Sequence, residues 1–210
     1  MDLYFDLDGT LTDPFDGITS SILYALEKSG LPSPAAETLG WAIGPALIDS
    51  FTKLGAPDPQ QALAFYRERY TQTGLFENKL YPNVLRVLAE LQADGHRMFL
   101  MTAKPHAYAT RITAHFGIAP YMAQEFGPEL DGTRNNKAEL LAWALVQTRS
   151  DPARSVMIGD RHHDFTAAKA NGMPAIAARW GYGTPEEHAQ ANHSCDSMIE
   201  LRSLITGLVK

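Results

Sequence analysis

Near its start the chain reads Leu3-Tyr4-Phe5-Asp6-Leu7-Asp8-Gly9-Thr10, an apolar run that ends in two carboxylates and a glycine. A carboxylate at the C-terminal end of a buried parallel strand lies where open α/β sheets place their ligands. Residues i and i+2 of an extended strand point to the same side, and Gly9 can take a positive φ and turn the chain away. The stretch therefore predicts a strand whose end presents two acidic side chains to one pocket.

The chemistry that suits such a pair is phosphoryl transfer through an aspartyl-phosphate. Asp6, on the rigid strand end, is the candidate nucleophile. Asp8 is the candidate general acid, which protonates the leaving oxygen and then activates the hydrolytic water. An acidic turn without chemistry is the alternative interpretation of this stretch taken alone.

Composition sets the class of the protein and its partners. The chain has 210 residues, of which 45% are hydrophobic and 20% charged, which is typical of a globular protein. A net charge of −6 without a basic run predicts no nucleic-acid partner, and an anionic substrate then needs a cation in its site, which favours a metal. The single Cys195 and the absence of a signal peptide or a membrane-length apolar run predict a cytoplasmic protein with no membrane partner.

From residue 82 onward, predicted strands and helices alternate. Apolar runs predict strands over 97–101, 122–126, 155–160 and 175–178. Helices are predicted over 82–94 and 105–117, from a cap at Asn135 or Asn136 to about 148, through 167–170 to about 172, near 185 and over 198–208. This alternation is typical of a parallel sheet covered on both faces. The predicted fold class is α/β, with a doubly wound, Rossmann-like core.

Residues 14–79 have a different sequence pattern. Helical periodicity appears over 18–28, 35–43, 46–54 and 59–73, separated by glycine and proline, with no convincing strand. We therefore predict two domains: an α/β core made of residues 1–13 and 80–210, and an all-helical insert over 14–79. Such an insert can act as a cap that excludes water and sets specificity, or it can be a merely structural subdomain.

With these elements in place, the chain resembles the haloacid dehalogenase-like hydrolase superfamily, and specifically its phosphatases related to phosphoglycolate phosphatase, which carry a helical cap after the first motif. The resemblance covers essentially the whole chain and rests on four motifs in order. They are Asp6 to Thr10 (D-x-D-G-T), Thr102 at the end of a strand, Lys137 near a helix start, and Gly159 to Asp164 (G-D-x-x-x-D).

Each motif also has a physical reason. Asp6 and a phosphate are both anionic, so attack needs a cation such as Mg²⁺, with Asp6 and Asp160 as its expected side-chain ligands. The Thr102 hydroxyl and the Ala103 N–H can bind phosphoryl oxygens, and Lys137 can balance charge on Asp6 and in the transition state. The resemblance adds the backbone carbonyl of Asp8 as a metal ligand and Asp164 as a supporting acid.

The resemblance implies a Mg²⁺-dependent phosphatase of a small phosphorylated metabolite, such as 2-phosphoglycolate. A nucleotidase or pyrophosphatase of the same family and a mutase similar to β-phosphoglucomutase remain alternatives. A non-catalytic phospho-acceptor switch is the alternative from another class. The sequence leaves the oligomeric state and the physiological substrate open.

Overall fold

The computed structural model describes residues 1–208, which fold as two compact units. The first comprises Met1–Asp13 and the chain from Leu80 onward, and the second is Pro14–Lys79. In the described part of the chain, no helix combines the length and the apolar character that crossing a membrane requires.

A six-stranded sheet forms the centre of the first unit. Its strands are β1 (Asp2–Phe5), β4 (Arg97–Met101), β5 (Gln124–Phe126), β6 (Ser155–Gly159), β7 (Ala175–Ala178) and β8 (His193–Cys195); the short β2 (Thr12–Asp13) and β3 (Lys79–Leu80) form a separate two-stranded sheet. The six strands run in the order β5-β4-β1-β6-β7-β8, and every neighbouring pair is parallel. The predicted α/β fold with a parallel sheet is confirmed.

Strand order reverses beside β1. From β1 the chain continues to β4 and β5 on one side, and then returns to β6, β7 and β8 on the other. Such a reversal leaves a crevice at the carboxyl ends of the strands, which is where doubly wound sheets bind ligands. The topology therefore places the site beside the end of β1.

Within residues 1–208, six α-helices accompany this sheet. They are α4 (Val84–Ala93), α5 (His106–His115), α6 (Lys137–Thr148), α7 (His162–Ala170), α8 (Pro185–His188) and α9 (Met198–Leu208). The buried positions of α4 are Val84, Val87, Leu88 and Leu91, the spacing of one helical face. Across the sheet core, the Tyr4 and Phe99 rings stack with their centroids 4.8 Å apart. Packing of these apolar faces holds the sheet rigid, and so holds the strand ends where the polar residues of the site lie.

The second unit is helical. It contains α1 (Phe15–Lys28), α2 (Leu47–Lys53) and α3 (Pro59–Arg69). The Asp58 side chain caps α3 by accepting hydrogen bonds from two backbone N–H groups of its first turn. Tyr66 stacks on Tyr70 with ring centroids 4.9 Å apart, so aromatic packing supplies part of this unit's core.

Several predicted elements differ from the structure. Residues 36–42 form a 3₁₀-helix rather than an α-helix, and α3 ends at Arg69, after which residues 70–74 form one π-helical turn. The edge strand β8 was not predicted, because two of its three residues, His193 and Ser194, are polar and exposed. The strand predicted over 155–160 ends at Gly159. These differences leave the strand ends of the site in place.

Candidate functional site

Two acidic residues follow neighbouring strands at the reversal. Asp6 comes directly after β1, and its N–H donates a hydrogen bond of 2.9 Å to the carbonyl of Ile158 in β6. Asp160 comes directly after β6, whose residue Ile158 is in register with Phe5. Both side chains are buried. The parallel register therefore brings together two carboxylates that lie far apart in the sequence.

The chain turns immediately after Asp6. The carbonyl of Leu7 accepts hydrogen bonds from the N–H groups of Thr10, Leu11 and Thr12 at 3.2, 2.9 and 3.0 Å. The strand stops at Phe5, so Asp6 and Asp8 do not both lie in extended backbone. The argument that this backbone points their side chains to the same side is therefore wrong. Asp8 lies in the turn.

A lysine and a third carboxylate complete a cluster around Asp6. The carboxylates of Asp6, Asp160 and Asp164 offer oxygen atoms that all lie within 4.8 Å of one another. Lys137 Nζ lies 2.9 Å from Asp6 Oδ1 and 2.5 Å from Asp164 Oδ1. Burial opposes the charge on Lys137, but the two carboxylates outweigh it and raise the pKa of the ammonium above its ordinary value. Lys137 is therefore charged and links Asp6 to Asp164.

Helix ends fix this lysine and its partner. Lys137 is the first residue of α6, and the Asn136 side chain caps that helix by accepting from Ala138 N at 2.9 Å and Glu139 N at 3.2 Å. Asp164 lies in the first turn of α7, where its Oδ2 accepts from Arg161 N at 3.0 Å. The sequence prediction of an asparagine cap before Lys137 is confirmed.

The carboxylate cluster carries more negative charge than Lys137 balances. Burial is the largest cause that raises the pKa of Asp160 well above its ordinary value, and the charges of Asp164 and Asp6 add to it. Burial likewise raises the pKa of Asp164 to about 6, although Lys137 acts in the opposite direction. The cluster thus disfavours its own ionised form, which a bound cation would reverse.

The donor set fits a hard divalent cation. Within residues 1–208, Asp160 Oδ1 is buried and has no hydrogen-bond partner. Clustered carboxylate oxygens are the ligands that Mg²⁺ prefers. Gly9, at φ +83°, allows the backbone to approach closely, because a Cβ there would lie 2.2 Å from Asp160 Oδ2. An unpaired buried carboxylate oxygen among other carboxylates is the arrangement expected of a cation site.

Sequence reasoning missed the loop after β7. Tyr182 N donates to Asp160 Oδ2 at 2.7 Å, and Trp180 Nε1 donates to the carbonyl of Thr10 at 3.0 Å. The Tyr182 hydroxyl donates to Asp13 Oδ1. This loop therefore orients Asp160 and holds the segment after β1 through two hydrogen bonds. The available signal was that Trp180-Gly181-Tyr182 follows a predicted strand at the same sheet edge as Asp6 and Asp160.

The loop after β4 carries the predicted phosphate-binding residues. Thr102 is buried and directly follows β4, and its Oγ1 accepts a hydrogen bond from Lys104 N at 3.1 Å. Ala103 is exposed between them. Sequence reasoning gave no role to Lys104, although its side chain is buried and pairs with Asp8. The structure thus places Thr102 and Ala103 at the sheet edge that carries Asp6, because β4 is the parallel neighbour of β1.

Comparison with known proteins gives a family match over most of the chain. The model of the haloacid dehalogenase-like hydrolase family matches residues 3–178. A crystal structure of a predicted phosphatase from Clostridium acetobutylicum superposes with a TM-score of 0.92 at 33% identity, covering 98% of each chain. The family match spans β1 to β7, and thus every strand end of the site.

Three curated relatives carry different names. A 5'-nucleotidase of Pseudomonas aeruginosa is 36% identical over 208 residues, which cover 97% of this chain and 94% of that protein. A phosphoglycolate phosphatase of Vibrio parahaemolyticus is 28% identical over 214 residues, which cover 96% and 94%. The tyrosine-protein kinase PtkA of Mycobacterium tuberculosis is 38% identical over 180 residues, which cover 85% of this chain but 62% of that protein.

Proposed function

The chain belongs to the haloacid dehalogenase-like hydrolase family, and on that premise we propose that it is a Mg²⁺-dependent phosphatase acting on a small phosphorylated metabolite through an aspartyl-phosphate. The observation that carries the proposal is the cluster of Asp6, Asp160, Asp164 and Lys137 beside the end of β1. The names of the phosphatase and nucleotidase relatives support the reaction class of a phosphoric monoester hydrolase.

Each residue of the site has a separate part in the proposed reaction. An Asp6 carboxylate oxygen attacks phosphorus, the bond to the leaving oxygen breaks, and Asp8 gives that oxygen a proton. Asp8 then takes a proton from water as the water oxygen attacks the phosphoryl group, which releases phosphate and restores Asp6. Lys137 holds one Asp6 oxygen and balances charge, while the Thr102 hydroxyl and the Ala103 N–H bind phosphoryl oxygens.

Mg²⁺, when bound, would neutralise part of the charge on the phosphate and on the attacking carboxylate. The proposed ligands are the side chains of Asp6 and Asp160 and the backbone carbonyl of Asp8, with Asp164 in support. The arrangement of Asp160 favours this assignment, because Tyr182 N occupies its Oδ2 while its buried Oδ1 has no partner within residues 1–208.

We propose a 5'-nucleotide as the first substrate to test and 2-phosphoglycolate as the second. The nucleotidase relative is the more similar of the two and covers nearly the whole chain, which favours this order. We also propose that the helical unit Pro14–Lys79 is the cap that selects the substrate, the role that inserted lids have in enzymes of this kind.

The test compares the wild type with Asp6→Asn on a generic aryl phosphate, then on 5'-nucleotides and 2-phosphoglycolate, with Mg²⁺ and with EDTA. We expect Asp6→Asn to lose at least about 10³-fold in turnover, because no other group can form the covalent intermediate. Asp94→Asn, which changes an exposed carboxylate directly after α4 and outside the helical unit, is the matched control. Undiminished turnover in Asp6→Asn, or wild-type activity unchanged by EDTA, would refute the proposal.

Two alternatives, one from the same family and one from another class, have their own readouts in the same experiment. Conversion of one sugar phosphate into its isomer, primed by a bisphosphate, would indicate a mutase. A phosphorylated Asp6 that persists without turnover would indicate a phospho-acceptor switch. The name of the PtkA relative makes transfer from ATP to tyrosine a further reaction to assay.

A further inference from the structure

Lys104 is a buried lysine in the loop after β4 to which the reaction above assigns nothing. Its Nζ lies 2.7 Å from Asp8 Oδ2, and the two side chains are only 6% and 13% exposed. A buried cation at this distance from the candidate acid has a strong orienting effect, because little water competes for either group. The pair joins the loop after β4 to the turn after β1.

The two oxygens of Asp8 have different surroundings. Oδ2 is paired with Lys104, whereas Oδ1 is buried and has no hydrogen-bond partner in the described chain. A carboxyl that exchanges a proton with a substrate needs one oxygen held for orientation and one available for the proton. The environment of Asp8 meets both requirements, and Lys104 supplies the first.

The backbone of Lys104 is itself held firmly. Its N–H donates to Thr102 Oγ1 at 3.1 Å, and directly after the loop His106 N, at the start of α5, donates to the carbonyl of Pro128 at 2.8 Å. A Cβ at Gly127 would lie 2.6 Å from the Lys104 carbonyl oxygen, so the segment after β5 packs directly against this backbone. A long side chain on such a fixed base can position its partner.

We propose that Lys104 is a positioning residue that fixes Asp8 Oδ2 and so directs Oδ1 to the leaving oxygen and then to the water. In the first half-reaction the proton passes from Asp8 Oδ1 to the leaving oxygen as its bond to phosphorus breaks. In the second, Oδ1 accepts a proton from the attacking water, and Lys104 keeps its own protons throughout. The inference rests on the proposed function, since it needs Asp8 as the acid and base.

Leaving-group dependence separates this role from direct binding of the substrate phosphate. Release of dinitrophenolate needs no proton, whereas release of an alkoxide does. We expect Lys104→Met to lower single-turnover cleavage of an alkyl phosphate by about 10²-fold, but that of 2,4-dinitrophenyl phosphate by less than about threefold. Lys169→Met, which removes an exposed lysine from α7, is the control and should leave both rates unchanged. Equal losses on both substrates would overturn the inference, because they would indicate phosphate binding.

A double-mutant cycle gives a second, independent test. If Lys104 acts through Asp8, removing it from an Asp8→Asn enzyme should cost less than about threefold, far below its effect in the wild type. The Asp8→Asn/Lys104→Met variant removes both charges and so keeps the test available if Lys104→Met alone leaves Asp8 unpaired and fails to fold. Additive losses in the cycle would overturn the inference.

Failure of this inference is distinct from failure of the proposed function. An inactive Asp6→Asn together with a fully active Lys104→Met would overturn the role of Lys104 and leave the phosphatase proposal standing. An active Asp6→Asn would overturn both.

Discussion

Replacing Asp160 with asparagine should stabilise the metal-free protein while removing its response to Mg²⁺. Asp160 is buried, its Oδ1 lacks a partner within residues 1–208, and its carboxylate shares a 4.8 Å cluster with those of Asp6 and Asp164. Its pKa is raised well above the ordinary value, so the ionised form is disfavoured in the folded protein. Asparagine keeps an oxygen for Tyr182 N and brings an amide that can donate to the neighbouring carboxylates.

The magnitude follows from the separation of the charges. Two unit charges 4.8 Å apart repel by about 3.5 kcal/mol at an effective dielectric constant of about 20. Lys137 offsets part of this repulsion, and relaxation around the site reduces it further. We therefore expect a net gain in the free energy of unfolding of about 1–3 kcal/mol for Asp160→Asn in EDTA. For a chain of this length that corresponds to a rise in Tm of about 3–10 °C.

The assay is thermal unfolding at pH 7, with EDTA and with increasing Mg²⁺. A ligand that binds only the folded state raises the free energy of unfolding by about 2.7 kcal/mol when its concentration is one hundred times Kd. The wild type should gain this much at such a Mg²⁺ concentration, while the variant should gain little. The difference in Tm between the variant and the wild type should then shrink or change sign as Mg²⁺ is added. Asp49→Asn is the control and should change stability by less than about 0.5 kcal/mol. A variant that is less stable in EDTA, or that responds to Mg²⁺ as the wild type does, would refute this reasoning.

Two further perturbations test the geometry around the site. Gly9→Ala should lower kcat by at least about 10²-fold, because a Cβ there would lie 2.2 Å from Asp160 Oδ2. Gly95→Ala is the control, since Gly95 has the same φ of +83° but no atom within 4 Å of an added Cβ; it should lose about 1 kcal/mol of stability and no activity. Burial acts to raise the pKa of Glu187, but hydrogen bonds from His162, Thr184 and Arg161 outweigh it and lower the pKa to about 2. A carboxyl whose pKa is lowered in the folded protein stabilises that protein above pH 4.5, and this contribution is lost as the pH falls towards 2. Because solvent screens these pairs, the free energy of unfolding of the wild type should fall by about 1–2 kcal/mol more than that of Glu187→Gln over this range, and equal falls in both proteins would contradict the pairing of Glu187.

The sequence predicted the sheet well, because local signals coincide with the elements. The strands Arg97–Met101 and Ala175–Ala178 have the predicted bounds, since each is an apolar run that ends at a polar residue or a turn. The Asn136 cap was likewise readable from local side-chain chemistry. The edge strand β8 was not, because its pairing with β7 depends on tertiary position rather than on its own composition.

For the site, motif spacing identified Asp6, Asp160 and Lys137 as candidates, and the parallel sheet explains why they lie together. The ion pair between Lys104 and Asp8 could not be predicted from motif spacing, because the two residues lie on different loops that meet only when β1 and β4 pair. The position of the loop after β7 could be inferred from the predicted strand before it, but the hydrogen bond from Tyr182 N to Asp160 could not, because every residue except proline has such a backbone donor.

The central position of β1 also sets the order in which the chain can fold. Asp2 pairs with Arg97 on one side and with Ser155 on the other, so both edges of Leu3-Tyr4-Phe5 stay open on the ribosome until much later segments are made. Pairings of such long sequence separation form slowly, and open apolar edges invite association with other nascent chains. The strand that precedes Asp6, the proposed nucleophile, is thus made early but pairs late, and the incomplete chain is the form most exposed to association.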